Sequence, residues 1–235
     1  MPAHRSLAKP ILISFSGVDG AGKTTQIQAL RDAIALMGVH STLLSFWDVV
    51  VVATGCREGF VHKVLGSQQG IGAPGAPVER RDKNVRSSYL TLIRHALYLA
   101  DAVHLRIVLR RARRSEDGVI IMDRYLYDEL ANLPLQNRFS AAYAKLLAWV
   151  APRPDLIFLL DADPELARAR KPEYPVDFMC RLRRSYFRLA QLLKIMTIIP
   201  PLGLEDARHA ILASFLRLLG EYREESGLAD SAPAA

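Results

Sequence analysis

A glycine-rich segment near the start of the chain joins two stretches of different periodicity. Residues 10–16 (PILISFS) before it are mostly apolar, as in a strand that is covered on both faces of a parallel sheet. Residues 23–37 after it place apolar side chains at helical spacing, and Gly38 is suited to end that helix. A strand, a tight turn and a helix in this order predict an α/β fold built on a parallel sheet.

The turn itself, residues 17–24, reads GVDGAGKT and fits the pattern G-x-x-x-x-G-K-[ST]. Its glycines let successive backbone N–H groups point at phosphate oxygens, and the helix that follows adds the positive end of its dipole. Lys23 is placed to reach the β- and γ-phosphates of a nucleotide, and the Thr24 hydroxyl to ligate Mg²⁺. The sequence therefore predicts that a nucleoside triphosphate binds to Gly17, Val18, Asp19, Gly20, Ala21, Gly22, Lys23, Thr24 and Thr25.

The rest of the chain continues the α/β pattern. Apolar runs predict further strands over residues 41–46, 119–122, 156–160 and 196–199. Helical periodicity predicts helices over residues 88–114, 139–150, 164–170, 181–193 and 205–222. Because strands from both ends of the chain contribute to one sheet, residues 1–235 are predicted to form a single domain, with a frayed tail at about 224–235.

Composition narrows the class of protein. Half of the residues are apolar and 23% are charged, which excludes wholesale disorder, a collagen-like repeat and a coiled coil. No apolar stretch approaches the ~20 residues that a helix needs to cross a bilayer, so no membrane partner is expected. Cys56 and Cys180 are too few for a disulfide framework, so a cytoplasmic, reducing compartment is expected. The net charge of +7 predicts an anionic partner without choosing one.

A second motif narrows the chemistry. Asp123, Arg124 and Tyr125 follow the strand predicted at 119–122. Ligands of parallel sheets bind beyond the carboxyl ends of the strands, so this acid and base are expected to face the phosphate site. The chain has no Asn-Lys-x-Asp sequence, which a guanine-reading GTPase would need, and ATP-driven machines usually need a larger chain. A small-molecule kinase is therefore favoured.

Several segments, in this order along the chain, resemble thymidylate kinase. They are residues 17–26 (GVDGAGKTTQ), 123–125 (DRY) and 154–161 (PDLIFLLD), followed by Arg168 and Arg170. The resemblance implies a P-loop kinase fold, in which a five-stranded parallel sheet is wrapped by helices on both faces and carries a short lid at about 168–178. It also implies transfer of the γ-phosphoryl group of ATP to a nucleoside monophosphate, with dTMP as the expected acceptor and dTDP and ADP as products.

The resemblance implies roles on the ATP side of the site. Lys23 and the backbone amides of the turn would hold the phosphates. Thr24 would bind Mg²⁺ with Asp123 nearby, and Arg168 would lie against the adenine in a cation–π contact.

It implies further roles on the transferring phosphoryl group. Arg124 would contact the acceptor phosphate and sense Asp19, while Arg170 and Lys171 would reach in from the lid. The implied catalytic residues are thus Asp19, Lys23, Arg124, Arg170 and Lys171. Because members of the family are commonly dimers, a homodimer is implied as well.

The chain departs from the family at the end of the second strand. Phe46-Trp47-Asp48 stands where thymidylate kinases usually have an Arg-Glu-Pro-Gly run. A carboxylate beside an aromatic looks more like a deoxynucleoside kinase, in which Asp48 would activate a sugar hydroxyl, since a hydroxyl acceptor needs a base. An Asp48 that only solvates the strand end is the equal alternative.

A second departure lies on the helix expected to bind the acceptor. The family's Ala-Asp-Arg is Ala-Asp-Ala at residues 100–102. Arg94, Tyr98 and Asp101 are spaced i, i+4, i+7 and share one helix face, so together with Tyr125 they are expected to read the base and phosphate of the substrate. The alternative interpretation is a core Tyr98 and a surface Arg94.

Other segments leave their role open. Residues 56–87 form an insertion, with a glycine- and proline-rich loop at 66–77 and a basic stretch at 80–86, that either closes over the substrate or is a surface feature. The basic stretches 106–114 and 181–188 could meet a phosphate backbone, but their apolar spacing favours the outer faces of core helices, so nucleic acid is not the expected partner. A non-catalytic nucleotide-binding protein is the remaining class.

Overall fold

The parallel sheet is the centre of the fold. The computed structural model describes residues 9–49, 88–115 and 118–225. Within these ranges five parallel strands follow the order β2-β3-β1-β4-β5. They are β1 (Ile11–Gly17), β2 (Ser41–Ser45), β3 (Val119–Asp123), β4 (Leu156–Leu160) and β5 (Thr197–Ile199). The predicted five-stranded parallel sheet is confirmed.

Helices connect the strands. Within the described residues they are α1 (Lys23–Leu36), α2 (Phe46–Val49), α3 (Ser88–Ser115), α4 (Leu126–Leu130), α5 (Arg138–Val150), α6 (Pro164–Arg170), α7 (Val176–Leu193) and α8 (Leu204–Glu225). Their apolar residues pack on both faces of the sheet, as predicted. Helices α1 and α8 cover the face that carries Ile13 and Phe15, and α3, α4, α5 and α7 cover the face that carries Leu12.

The alternation along β1 explains why both faces are covered. Ile11, Ile13 and Phe15 point to one layer and Leu12 to the other, and all four side chains are fully buried. Phe15 also lies 5.2 Å from Phe158 of β4, measured between ring centroids. Burying each such side chain contributes about 1.5–3 kcal/mol, so a one-residue slip of this strand would be costly.

The register brings the carboxyl ends of the strands to one edge. Phe15 of β1 lies opposite Asp123 of β3, and Ser45 of β2 lies opposite the same Asp123. On the other side Gly17 lies opposite Leu160, the last residue of β4. Residues that follow these strands are therefore neighbours in space although they are far apart in sequence.

Two short helices were not predicted. The second strand ends at Ser45, and Phe46, which was expected to belong to it, begins α2. Helix α4 directly follows the DRY segment, and the Asp128 carboxylate caps its start by accepting from the Tyr125 N–H. A turn of five residues is too short to show helical periodicity in the sequence.

Two predicted helix boundaries were wrong. Helix α7 begins at Val176 rather than Arg181, directly after Pro175, which is the extended N-cap residue with φ −61° and ψ 147°. The lid segment is consequently mostly helical, and Lys171–Pro175 alone lies between α6 and α7. Helix α8 continues to Glu225, so residues 224 and 225 are helical where a frayed tail was expected, and the rest of that tail lies outside the described residues.

Several sequence predictions fall outside the described ranges. They are the insertion at 56–87, with its loop at 66–77 and its basic stretch at 80–86, and Cys56. Cys180, on α7, is described and has a free thiol; the reducing compartment stays a prediction. Among the described helices, none combines the length and the apolar character that spanning a bilayer requires.

Candidate active site

The glycine-rich turn lies at the carboxyl edge of the sheet, between β1 and α1. Gly17, Gly20 and Gly22 have φ angles of 142°, 81° and 84°, which side-chain-bearing residues rarely adopt. A Cβ on Gly20 would lie 2.2 Å from the Ala167 carbonyl oxygen, and one on Gly17 would lie 2.4 Å from the Leu160 carbonyl oxygen. Glycine is thus required at these two positions by close backbone approach as well as by conformation.

Lys23 begins α1 and lies back along the turn. Its Nζ donates to the carbonyl oxygens of Gly17 and Val18, each at 2.9 Å. The residue is only 7% exposed. Burial, helped by the nearby charge of Arg124, lowers the pKa of Lys23 to about 8. The ammonium group is therefore held inside the turn, where the phosphates of a nucleotide would meet it.

Arg124 is the next cation of the site, and its backbone is unusual. It has φ 66°, a conformation that is uncommon for a residue with a side chain, and its N–H donates to Phe15 O at 3.0 Å. This kink directs the guanidinium group to the carboxylate of Asp19, with which Nη2 pairs. The second motif of the sequence is thereby joined to the first.

Asp19 is the carboxylate at which the cations meet. Besides Arg124, the Nζ of Lys171 lies 3.8 Å from Asp19 Oδ1. Burial acts to raise the pKa of Asp19, but Arg124, Lys23 and Lys171 together hold it below its ordinary value. Asp19 is therefore ionised at neutral pH and gathers three positive side chains.

Asp128 was missed by the sequence analysis. It lies on α4, almost fully buried, and its Oδ2 accepts from Ser16 Oγ at 2.7 Å and from the Tyr125 N–H at 3.0 Å. Its Oδ1 accepts from the Tyr186 hydroxyl at 2.7 Å and lies 3.4 Å from Arg124 Nη1. A carboxylate offers about four lone-pair sites, and all four are used here.

Arg124 is consequently held from both sides. Asp19 contacts one of its terminal nitrogens and Asp128 the other. Burial acts to lower the pKa of Arg124, but Asp128 and Asp19 raise it above its ordinary value. The Tyr186 hydroxyl also lies 3.4 Å from Gly17 O, so α7, α4 and the turn are joined beneath the site. The one sequence signal for Asp128 was its capping position three residues after Tyr125.

The lid residues predicted from the resemblance reach the turn unequally. Arg170 ends α6 with Nη1 3.5 Å from Gly20 O, and Lys171 lies between Asp19 and Glu173, 3.2 Å from the latter. Arg168 instead lines an open groove of about 480 Å³ along the lid, together with Glu165, Ala169, Pro172 and Val176. The two cations expected at the phosphoryl group thus lie at the turn, and the one expected at the adenine lies beside it.

A second arginine pair fastens α7 to the end of β4. Asp161 accepts two hydrogen bonds from Arg183, from Nε and Nη2, each at 2.6 Å. This contact raises the pKa of Arg183, whose guanidinium carbon lies 5.5 Å from the centroid of Phe187. The sequence pointed to Asp161 but not to its partner, which is 22 residues away.

The proposed metal-binding pair fits a magnesium ion that is carried by phosphates. Thr24 is exposed on the first turn of α1, and Asp123 ends β3 opposite Phe15. In the described part of the chain, no three His, Cys, Asp or Glu residues cluster to form a metal site. Mg²⁺ commonly uses one or two protein ligands together with substrate phosphates and water, so a hydroxyl and one carboxylate are sufficient.

The acceptor side of the predicted site is less connected. Tyr98 and Asp101 are buried on α3, and Tyr125 is fully buried, with its hydroxyl donating to Pro152 O. Asp48 is exposed on α2, and α3 carries Arg94, whose side chain lies outside the description. The roles of these residues in substrate binding stay predictions.

Fold and site together define a class. A phosphate-binding turn after the central strand, a cationic cluster beyond the carboxyl ends and helices on both faces are the features of a P-loop kinase. The structure of thymidylate kinase from Ehrlichia chaffeensis has the same fold, with a TM-score of 0.56, 17% sequence identity and coverage of 88% of this chain and 99% of that one.

Sequence comparisons find thymidylate kinases among the proteins that resemble this chain. Thymidylate kinase of Bifidobacterium longum subsp. infantis is 29% identical over 191 residues, 77% of this chain and 74% of that protein. The probable thymidylate kinase of Pyrococcus abyssi is 27% identical over 228 residues, 88% of this chain and 97% of that protein. No family model matches the chain. Over most of its length the chain is thus similar in sequence to thymidylate kinases, and it shares their fold.

Proposed function

We propose that this protein transfers the γ-phosphoryl group of ATP to dTMP, giving dTDP and ADP. The observation that carries the proposal is the arrangement of Lys23, Arg124 and Lys171 around Asp19 at the phosphate-binding turn. The thymidylate kinases among its relatives support dTMP as the acceptor. No observation favours the sugar hydroxyl or the non-catalytic alternative.

Phosphoryl transfer to dTMP depends more on positioned positive charges than on a general base. The acceptor phosphate of dTMP is already an anion, so no strong base is needed to make it a nucleophile. Charge spreads over the transferred phosphoryl oxygens in the transition state, and fixed cations stabilise it there. Lys23 would hold the β- and γ-phosphates, Arg124 would lie between donor and acceptor, and Arg170 and Lys171 would approach from the lid.

Magnesium belongs to the proposal through the residues that would hold it. Thr24 would ligate the ion directly, with Asp123 nearby from the end of β3. When bound, Mg²⁺ would neutralise the β- and γ-phosphate oxygens. Asp19 and Asp128, by contrast, are engaged by cations and hydrogen-bond donors, which sets them apart as positioning groups.

A substrate panel tests the proposal. ADP formation is measured with MgATP and each of dTMP, dUMP, dCMP, thymidine and deoxycytidine as acceptor. The expected result is the highest kcat/KM with dTMP and negligible turnover of the two nucleosides. Turnover of a nucleoside with none of any monophosphate would establish the deoxynucleoside kinase, and no transfer to any acceptor would establish a binding protein.

A homodimer is also part of the proposal. Leu99, Val103 and Ile107 are exposed at i, i+4, i+8 on α3, so they form one apolar stripe on the surface of that helix. Val103→Glu should convert a dimer to a monomer in sedimentation velocity. Leu36→Glu, at an exposed apolar position of α1 on the opposite face of the sheet, is the matched control. A sedimentation coefficient that both variants leave unchanged would contradict this interface.

A further inference from the structure

A second cationic region lies near the amino ends of the strands, at the end of the sheet opposite to the phosphate-binding turn. It is a groove of about 410 Å³ between the carboxyl-terminal halves of α3 and α5, lined by Arg106, Arg110, Arg113, Arg153 and Trp149. Arg153 precedes β4 by a few residues, and α3 ends just before β3. The groove is therefore near the amino ends of the strands, whereas the phosphate-binding turn is at their carboxyl ends.

The charge of this arginine groove is poorly compensated. Arg113 lies 3.7 Å from Asp155, but Asp155 also accepts from the Leu12 N–H at 2.8 Å and from the Tyr222 hydroxyl at 2.9 Å. The Nε of Arg113 is buried without a hydrogen-bond partner. No carboxylate of the described chain is seen to pair with Arg106 or Arg110. A groove lined by several arginines with so little compensating negative charge favours an anionic ligand.

The groove is also partly fixed in shape. Arg106 Nη1 donates to the Val150 carbonyl oxygen at 3.0 Å, which ties the middle of α3 to the end of α5. Arg106, Arg110 and Arg113 follow at i, i+4, i+7, so they share a helix face about 10 Å long. Beside them Trp149 is 78% exposed, a large apolar ring that solvent would ordinarily disfavour.

We infer that the arginine groove binds the polyphosphate of a nucleotide, with the base lying against Trp149. Guanidinium groups match phosphate oxygens with paired hydrogen bonds, and an exposed indole ring offers a face on which a base stacks. Three arginines over about 10 Å suit a di- or triphosphate, and one aromatic ring suits one base. A nucleic-acid strand would need a longer cationic track with further stacking positions.

The two tryptophans of the chain, Trp47 and Trp149, make the test direct. In Trp47→Phe the remaining fluorescence comes from Trp149. Adding Lys23→Ala weakens nucleotide binding at the phosphate-binding turn, and ATP without Mg²⁺ is then titrated. The expected result is saturable quenching of Trp149 that inorganic tripolyphosphate reverses by competition.

A pair of neighbouring arginines provides the matched control. Arg110 lines the groove, whereas Arg111 follows it on the same helix and does not. Arg110→Glu should weaken ATP binding at least tenfold, and Arg111→Glu should change it less than threefold. Thermal unfolding of both variants checks that the fold is kept, and Arg110→Gln replaces Arg110→Glu where charge reversal lowers the Tm.

Other outcomes would overturn the inference. Absence of saturable quenching means that no nucleotide binds beside Trp149. Equal weakening by Arg110→Glu and Arg111→Glu means that the effect is general surface charge. Binding of a twelve-residue oligothymidylate more than tenfold tighter than ATP, lost in Arg110→Glu, would assign the groove to single-stranded nucleic acid instead.

Discussion

Positively charged side chains cluster at both ends of the strands, but only the cluster at the carboxyl ends is balanced by carboxylates. At the carboxyl edge Lys23, Arg124 and Lys171 surround Asp19, and Asp128 holds Arg124 from below. At the amino ends of the strands four arginines line a groove, and Asp155, which lies 3.7 Å from Arg113, also accepts hydrogen bonds from two other donors. The same type of residue thus occurs in two electrostatic settings.

The difference separates two ways of binding an anion. Carboxylates at the carboxyl edge fix the cations before a substrate arrives, so little reorganisation is needed during phosphoryl transfer. At the amino ends of the strands few carboxylates compensate the guanidinium groups, which favours the binding of an anion over catalysis. Paired cations are therefore expected to control turnover, and unpaired cations are expected to control affinity.

The largest effect should come from the most buried cation. Lys23→Ala removes the group that would hold the β- and γ-phosphates, so kcat with ATP and dTMP should fall roughly 10²–10³-fold. Steady-state kinetics measures it, with Lys145→Ala, an exposed lysine of α5, as the control. A loss below tenfold would place the phosphates elsewhere.

The next effect should come from the carboxylate beneath Arg124. Asp128→Asn keeps the shape but places an amide against donors, so kcat should fall roughly 10–100-fold because Arg124 loses its position. The free energy of unfolding should fall by about 3 kcal/mol, since the mutation leaves the partly buried Arg124 with Asp19 as its remaining carboxylate partner. Guanidinium chloride unfolding and kinetics on the same preparation measure both quantities.

Tyr186→Phe is the graded control for Asp128. It removes one of the four donors to that carboxylate and leaves its charge intact. Stability should fall by about 1 kcal/mol, with a small change in kcat. If Asp128→Asn lowered stability alone and left kcat within twofold, Asp128 would be a structural residue only.

The lowered pKa of Lys23 predicts an effect of pH. Phosphate binding needs the ammonium form, so ATP affinity should be about tenfold weaker at pH 9 than at pH 7 for a free-state pKa of about 8. The contribution of Lys23 to folding stability changes with pH in the opposite direction to the affinity for ATP. Between pH about 8 and 10.5 the unfolded state binds more protons at this residue, so the contribution of Lys23 to stability rises with pH in that window. Isothermal titration at both pH values measures the affinity for ATP. In Lys23→Met the affinity should be the same at pH 7 and pH 9, which would assign the pH effect to Lys23.

The smallest effect should come from the carboxylate of the amino edge. Asp155→Asn lessens the compensation of Arg113, so ATP binding in the arginine groove should tighten about twofold to threefold. Turnover should change less than twofold, because Asp155 lies at the opposite edge from the phosphate-binding turn. Trp149 fluorescence and steady-state kinetics measure the two effects, and a tenfold loss of kcat would show that the two edges are coupled.

The sequence allowed prediction of contiguous motifs and of residues that directly follow the strands of a parallel sheet. The glycine-rich turn and Lys23 need only contiguous residues, and the parallel sheet places the DRY segment beside them. Asp128 could not be found in this way, because its partners Ser16 and Tyr186 are 112 and 58 residues away. The start of α7 was placed five residues too late, because Pro175, its N-cap residue, gives no apolar periodicity that would mark a helix start.

On the acceptor side of the site, residue spacing predicted a shared helix face but not its ligand. Asp48 was interpreted as the end of a strand, and it lies instead on a four-residue helix. Tyr98 and Asp101 share a buried helix face, as their spacing predicted. Spacing fixes a shared face but not the ligand to which that face is turned, so the choice of acceptor base depends on the substrate panel.

The close approach of Gly20 to Ala167 has a mechanical consequence. The two backbones leave no room for a methyl group, so the phosphate-binding turn and α6 pack directly against one another at that point. Beyond α6 the chain leaves the helix at Lys171 and re-enters one at Val176. The same Ala167 carbonyl oxygen accepts from the Lys171 N–H at 3.0 Å, so one carbonyl group contacts both the glycine of the turn and the first residue after α6.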